Sequence, residues 1–204
     1  MDKENRTKAN IFEAAARLFS EKGFVGTTLR NIAGAPSVRV SETAIYRHFE
    51  SKAAILDEIY GVFRALPKSY IPSHRQIDAY LKTDTPRRLL TRFIPACKDE
   101  DALFMTQVYR ILFREQFTNP GAREIVNDHL INEAAGSLRY ALERLIQAGS
   151  IPKMDAKAIA GLWAVNMFTI ISANGFAKPN LIADGMIHMM LTGKLPGITN
   201  NPPA

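Results

Sequence analysis

The sequence has very little cysteine: Cys97 is the single thiol among 204 residues. One thiol cannot form an internal disulfide, and it leaves no cysteine cluster for structural zinc. The four histidines, at positions 48, 74, 129 and 188, include no pair with the i, i+4 spacing of helical metal ligands. We therefore expect no metal site and no cofactor, and we expect Cys97 to be an inert core thiol.

Short motifs typical of enzyme active sites are also missing from the sequence. It contains no G-x-S-x-G elbow, no Walker loop, no H-E-x-x-H motif and no dinucleotide glycine fingerprint. The first ten residues, MDKENRTKAN, are polar and include no apolar export segment. These features argue against an enzyme and favour a cytoplasmic location.

Long apolar runs are scarce, with one exception. Residues 158–176, AIAGLWAVNMFTIISANGF, carry no charge and could just cross a bilayer. Polar residues such as Asn166, Ser172 and Asn174 interrupt the run, and no second segment of this kind accompanies it. A helix that is apolar on all sides can equally be buried between protein layers. We predict a buried or interface helix and no membrane association.

Helical periodicity dominates what is present, and no useful stretch alternates as a β-strand would. The apolar spacing predicts a helix around residues 11–19, short helices that begin near Thr28 and Ser41, and a fourth that begins near Ser51. Further helices are predicted at 74–83, 86–97, 101–117, 120–148, 155–175 and 179–192. The sequence therefore predicts an all-α protein, with a three-helix N-terminal domain at 1–52 and a larger helical bundle at 53–204.

The second and third short helices, separated by the break GAPSVRV, have the form of a helix-turn-helix. In that motif the second helix lies in the DNA major groove, with its N-terminal residues at the base edges. We expect Ala44, Ile45 and Phe49 to pack this helix against its neighbours, although Tyr46 could be either a core or a surface residue. The stretch SETAIYRHFESK would then present its polar side chains to DNA.

Charge supports this interpretation only in part. The net charge is +6 and the pI is about 9.5, which favours anionic partners such as nucleic acid. Residues 1–52, however, contain nine Lys and Arg against six Asp and Glu. That excess is too small to bind DNA by charge alone. Recognition would depend on a docked helix and on the doubled contacts of a dimer.

Residues 9–56 carry a resemblance to a known family. The stretches IFEAAARLFSEKGFVGTTLRNIA and VSETAIYRHFESKAAIL resemble the DNA-binding domain of TetR-type transcriptional repressors. The turn GAPSVRV departs from the family pattern because it is about two residues longer, and Arg39 stands where glycine is usual. Arg39 could contact a phosphate or could be solvated.

The resemblance implies a set of DNA contacts on the second and third helices and at the start of the fourth. These positions are Thr28, Arg30, Ser41, Glu42, Thr43, Tyr46, Arg47, His48 and Lys52. Glu42 could accept a hydrogen bond from cytosine or could be a solvated cap residue. Arg47 lies low on a short helix, so a phosphate contact is favoured over guanine readout.

The resemblance also implies a function for the remaining two-thirds of the chain. The last two helices, at 158–175 and 181–192, would form a homodimer that binds a palindromic operator on double-stranded DNA. A small, largely apolar effector would bind inside the bundle, shift the fourth helix and release the repressor. An alternative is a bundle that responds to a protein partner, and a third hypothesis is an all-α enzyme or membrane-attached protein.

The predicted effector contacts are apolar and aromatic side chains, several of which follow the spacing of an ordinary core stripe. These candidates are Phe93, Phe104, Met105, Val108, Tyr109, Leu112, Phe113, Trp163, Met167 and Phe168.

Overall fold

The structure is a computed structural model that describes residues 3–65, 71–95, 99–176 and 181–194. Every regular element in these ranges is helical, which confirms the predicted all-α class. In chain order the elements are α1 (Lys3–Lys22), α2 (Leu29–Ala33), α3 (Glu42–Ile45), α4 (Lys52–Ala65), α5 (His74–Tyr80), α6 (Pro86–Thr91), α7 (Asp99–Glu115), α8 (Pro120–Glu124), a π-helical segment (Ile125–Asn132), α9 (Glu133–Gln147), α10 (Ala156–Asn174) and α11 (Leu181–Thr192).

The chain divides into two compact units. Unit 1 comprises Met1–Pro67 and Lys98–Val126, and unit 2 comprises Lys68–Cys97 and Asn127–Ala204. Helix α7 belongs to unit 1 because it packs against α1 and α4. The predicted boundary after residue 52 does not coincide with this division, since the contacts of α7 with α1 join parts of the chain that are far apart in sequence.

The core of unit 1 forms on the periodic apolar faces of its helices. In α1, Ile11, Ala15 and Phe19 are fully buried, as their helical spacing predicts. Gly23 ends this helix with φ of +77°, a left-handed conformation that glycine adopts without steric cost. In α4, Ile55, Ile59 and Phe63 are buried, and Val108 and Leu112 of α7 complete the core.

Unit 2 is built around a hydrophobic cluster shared by α5, α6, α9, α10 and α11. Ile77, Leu142, Trp163 and Ile187 lie in this cluster, and α9 packs along α10. The predicted helix at 120–148 is interrupted, because Ile125–Asn132 widens into a π-helix between α8 and α9. Residue 97, predicted to be an inert core thiol, lies outside the described residues.

Helix α10 has one buried face and one exposed face. By length and composition it could cross a membrane, with a mean hydropathy of 1.4, and 44% of that stretch is buried. Trp163, Met167 and Phe168 face the protein interior, whereas Leu162 and Val165 are 57% and 48% exposed. The predicted burial therefore holds for one side of the helix.

Candidate nucleic-acid interface

Helices α2 and α3 both begin at hydroxyl side chains. Thr28 caps α2: its Oγ1 accepts from the Asn31 backbone N–H at 3.1 Å, and its own N–H donates to Asn31 Oδ1 at 3.0 Å. Ser41 Oγ caps α3 by accepting from the Ala44 N–H at 3.1 Å. These short-range bonds satisfy donors that a helix start leaves unpaired. They explain why such short helices form at these positions.

Helix α3 buries its apolar side and leaves a polar row outside. Ile45 is fully buried and Phe49 is 4% exposed, as predicted, while Ala44 is half-buried. Tyr46 is 54% exposed, so it belongs to the surface. The exposed side chains are those of Ser41, Glu42, Thr43, Tyr46 and Arg47, and His48 is half-buried. Most of the predicted contact residues on this helix are therefore solvent-accessible together.

Arg30 on α2 and Glu42 on α3 form a loose ion pair across the two helices. Their closest atoms, Arg30 Nε and Glu42 Oε2, are 3.9 Å apart, and the side chains are 90% and 45% exposed. An exposed pair of this kind contributes roughly 0–1 kcal/mol. This contact therefore does little to hold either side chain in place, and a DNA contact of Arg30 or Glu42 stays a prediction.

The long turn between α2 and α3 is anchored to the rest of unit 1. Asn10 Nδ2 donates to the Ser37 carbonyl at 2.8 Å, and the Val40 N–H donates to the Ala33 carbonyl at 3.2 Å. Arg39 is exposed and has φ of +46°, the left-handed region in which glycine is favoured. This conformation gives a physical reason for glycine as the usual residue at this position.

Lys52, the first residue of α4, points into unit 1. Its Nζ donates to the carbonyls of Phe24 and Thr27, each at 2.7 Å, and lies 4.2 Å from the centroid of the Phe24 ring. Two of its three N–H donors are thus used by the turn between α1 and α2. Direct contact of Lys52 with DNA stays a prediction.

Glu115, at the end of α7, was not among the predicted site residues. Its side chain is buried, and its Oε1 accepts from the Phe24 N–H at 3.0 Å. The neighbouring Arg114 Nη1 donates to the Glu21 carbonyl at 2.9 Å. No local sequence signal could have indicated these contacts, because the partners are more than ninety residues apart.

Tyr60 on α4 is a buried titratable group in the same unit. Burial raises the pKa of its phenol, and the nearby carboxylates of Glu115 and Asp57 raise that pKa further. Its hydroxyl has no hydrogen-bond partner within the described part of the chain. The group is therefore neutral at ordinary pH, and its burial carries a desolvation cost.

The predicted effector contacts fall in different units. Six lie on α7 in unit 1: Met105, Val108, Tyr109 and Leu112 are buried, Phe104 is half-buried and Phe113 is 40% exposed. The other four, Phe93, Trp163, Met167 and Phe168, are buried in unit 2. The rings of Phe104 and Phe12 are 5.7 Å apart, and those of Tyr109 and Phe63 are 6.0 Å apart. A role for these side chains as cavity walls stays a prediction.

Two short helices that pack together across a turn, the second of which exposes a row of hydrogen-bonding side chains, have the arrangement of a helix-turn-helix protein. Residues 11–59 match the family described as bacterial regulatory proteins, tetR family. The transcriptional repressor KstR2 of Rhodococcus jostii (strain RHA1) is 28% identical over 119 residues, 54% of each chain. The biofilm operon negative regulator IcaR of Staphylococcus aureus (strain Newman) is 45% identical over 51 residues, 25% of this chain and 26% of that protein. The matched region thus spans about half of one relative and about a quarter of the other.

The similarity of fold extends much further than the similarity of sequence. The structure of the ketosteroid transcriptional regulator KstR2 of Mycobacterium tuberculosis has a TM-score of 0.61 and 18% identity, and covers 91% of this chain and 93% of that one. The N-terminal domain, at residues 11–59, is thus that of the TetR family of transcriptional regulators, as its motifs predicted. Its all-helical architecture, with an N-terminal helix-turn-helix followed by a helical C-terminal region, is that of this family.

Proposed function

We propose that the chain is a cytoplasmic, ligand-responsive transcriptional repressor that binds a palindromic operator as a homodimer. The exposed polar row on α3 is the observation that carries this proposal. The names of its relatives, a transcriptional repressor and a negative regulator, support the direction of control. The function requires DNA binding and release but no catalysis, so we infer that the protein is not an enzyme.

DNA contacts in this proposal follow from the position of each side chain along α3. Ser41, Glu42 and Thr43 lie at its N-terminal end, where a recognition helix meets base edges. Tyr46 and Arg47 follow at its C-terminal end, where a phenol and a guanidinium suit phosphate oxygens. Thr28, Arg30, Arg39 and His48 would add contacts around them.

Dimerisation in this proposal uses the exposed side of α10. Ala158, Leu162, Val165 and Thr169 are exposed at helical spacing and carry no charge. Such a face is self-complementary, because a two-fold axis brings the same residues of two copies together. Helix α11 would complete the interface through Met189, which is half-buried. The apolar character of α10 then has a role that does not involve a membrane.

The effector in this proposal is a small, largely apolar molecule. The apolar and aromatic side chains of α7 and α10 support it, as does the name ketosteroid transcriptional regulator given to the similar structure. A ligand changes DNA affinity only if it binds the two conformations of the protein unequally. The alternative is that the bundle responds to a protein partner.

Selection of duplexes from a random-sequence pool tests DNA binding directly. We expect the wild-type chain to enrich an inverted repeat with half-sites about one helical turn apart, near 34–36 Å. The double variant Tyr46→Phe, Arg47→Ala should bind the enriched duplex at least tenfold more weakly, with its helicity and dimer mass unchanged. Arg87→Ala, which removes a charge from another exposed position, on α6, is the matched control and should bind normally.

If the wild-type chain enriches no duplex, the proposal as a whole is refuted. An equal effect of the α3 double variant and Arg87→Ala would instead show that general charge, and not α3, mediates binding. Measuring the mass of the chain after purification from its host separates the two effector hypotheses. A small co-purifying molecule that lowers DNA affinity supports the small-molecule effector. A co-purifying protein without such a molecule supports the protein partner.

A further inference from the structure

The turn between α1 and α2, residues 23–27, is held from two sides by side chains of opposite charge. Lys52 of α4 donates to the carbonyls of Phe24 and Thr27, and Glu115 of α7 accepts from the Phe24 N–H. Both polar groups of the Phe24 backbone are therefore bound by ionisable side chains. We call this arrangement of Lys52, Phe24 and Glu115 the turn clamp.

The turn clamp lies directly before the first helix of the helix-turn-helix. Thr27 is fully buried, and its Oγ1 donates to the carbonyls of Leu18 and Gly23 at 3.2 and 2.9 Å. The next residue, Thr28, is the N-cap of α2. A displacement of the turn would therefore displace the start of α2, against which α3 packs.

The bonds of the turn clamp have the chemistry of strong and specific contacts. Hydrogen bonds to an ammonium or a carboxylate are shorter and stronger than those between neutral groups, and the 2.7 Å distances at Lys52 agree with this. Glu115 is 8% exposed, so water does not readily replace it as the acceptor of the Phe24 N–H. The position of the turn thus depends on Lys52 and Glu115, which lie outside it, as well as on its own Thr27.

We propose that Lys52 and Glu115 are positioning residues for DNA binding, and that Glu115 is where α7 is coupled to the helix-turn-helix. This inference rests on the proposed function, because it concerns how α2 and α3 are held for DNA. Six predicted effector contacts lie on α7, so a change in that helix would reach the turn through Glu115. Lys52 then acts on DNA affinity through Phe24 and Thr27, and not through a phosphate.

The test uses the full-length chain and the duplex that the wild type enriches from a random pool. Glu115→Met keeps the side-chain volume but removes the carboxylate acceptor, and it should weaken DNA binding about tenfold. Glu115→Gln retains an oxygen acceptor for the Phe24 N–H and should bind within about threefold of the wild type. Ile111→Val, at a buried position of the same helix, is the control for a modest loss of stability and should bind normally.

A double-mutant cycle separates positioning from phosphate contact. If Lys52 and Glu115 act through the same turn, Lys52→Met combined with Glu115→Met should bind no more than about twofold more weakly than the weaker single variant. Amide hydrogen exchange at Phe24 should be much faster in Glu115→Met than in the Ile111→Val control. If Glu115→Met does not fold, Lys52→Met serves for the same test. It should bind DNA about tenfold more weakly than the wild type, and amide hydrogen exchange at Thr28 should be faster.

Wild-type affinity in Glu115→Met, or multiplicative effects of the two substitutions, would overturn the positioning role. Those results would leave the proposed function intact, because the wild type would still bind its duplex. If no duplex is enriched, the proposed function itself fails. Amide exchange at Phe24 then still reports whether Glu115 protects the turn.

Discussion

Replacing Arg39 with glycine is expected to stabilise the protein, although it removes a whole side chain. Arg39 has φ of +46° in the turn between α2 and α3, and its side chain is exposed. The left-handed conformation costs a residue with a Cβ about 1–2 kcal/mol. Glycine removes that cost but gives the unfolded chain more freedom, which offsets roughly 0.5–1 kcal/mol. We therefore expect a net gain of about 0.5–1 kcal/mol.

Arg39→Ala is the matched control, because it also removes the guanidinium but keeps the Cβ. Comparison of the glycine and alanine variants isolates the backbone term from any effect of charge. Urea unfolding followed by circular dichroism should show a higher midpoint for glycine than for alanine, with equal slopes. In thermal unfolding a difference of 1 kcal/mol corresponds to about 2–4 °C for a chain of this size.

An alanine variant as stable as the glycine variant would show that the left-handed conformation is not a source of strain. The same pair of proteins also tests the role of the Arg39 side chain in DNA binding. If its guanidinium contacts a phosphate, both variants should show a less steep fall of the DNA-binding constant with salt. The magnitude of the slope of log K against log salt should decrease by about 0.9 for each phosphate contact that is lost. If it is solvated, the slope should match that of the wild type.

Three further predictions concern the interface and the buried polar groups. Replacing Met189 or Leu162 with Asp should convert the proposed dimer to monomer in sedimentation, because the substitution buries a charge in the proposed interface; an undisturbed dimer would contradict that interface. Tyr60→Phe should leave the free energy of unfolding unchanged or raise it by about 1 kcal/mol in a urea titration, since the buried hydroxyl has no hydrogen-bond partner in the described part of the chain. A clear loss of stability would show that the hydroxyl does have a partner. The hydrogen bond from Arg92 lowers the pKa of Asp84, so its stabilisation is present above the unfolded pKa and is lost as pH falls through the lowered value. Asp84→Asn should therefore destabilise the protein at pH 7 but have little effect once Asp84 is protonated in the wild type; a constant difference across pH would refute this.

The short-range features of the helix-turn-helix could be predicted from the sequence. Ser41 caps α3 and Ser51 bonds the N–H of Ala54, each within three residues, so both signals are local. Phe49 is buried because the apolar spacing places it on the side of Ile45. A cap and an apolar period each depend on a few consecutive residues, which explains why both were accessible without a structure.

The hydrogen bonds that Lys52 makes within the protein could not be predicted in this way. Its position in the motif indicated a DNA contact, which stays a prediction, and gave no sign that its ammonium binds carbonyls 25 and 28 residues earlier in the chain. The π-helical segment at 125–132 also lacked a sequence signal, because its apolar residues suit an ordinary α-helix equally well. For Lys52 the deciding contacts come from packing and not from neighbours in sequence.

The sequence by itself determined the helical class, the caps of α2 and α3, and the polar row that α3 exposes, because helix periodicity and capping act within about four residues. The tertiary structure alone decided that α7 joins the N-terminal unit and that Glu115 binds the Phe24 N–H. The first feature depends on the packing of α7 against α1 and α4, and the second on a hydrogen bond that joins residues 91 positions apart. Which distant acceptor meets a given N–H is decided only when the helices pack around a common core.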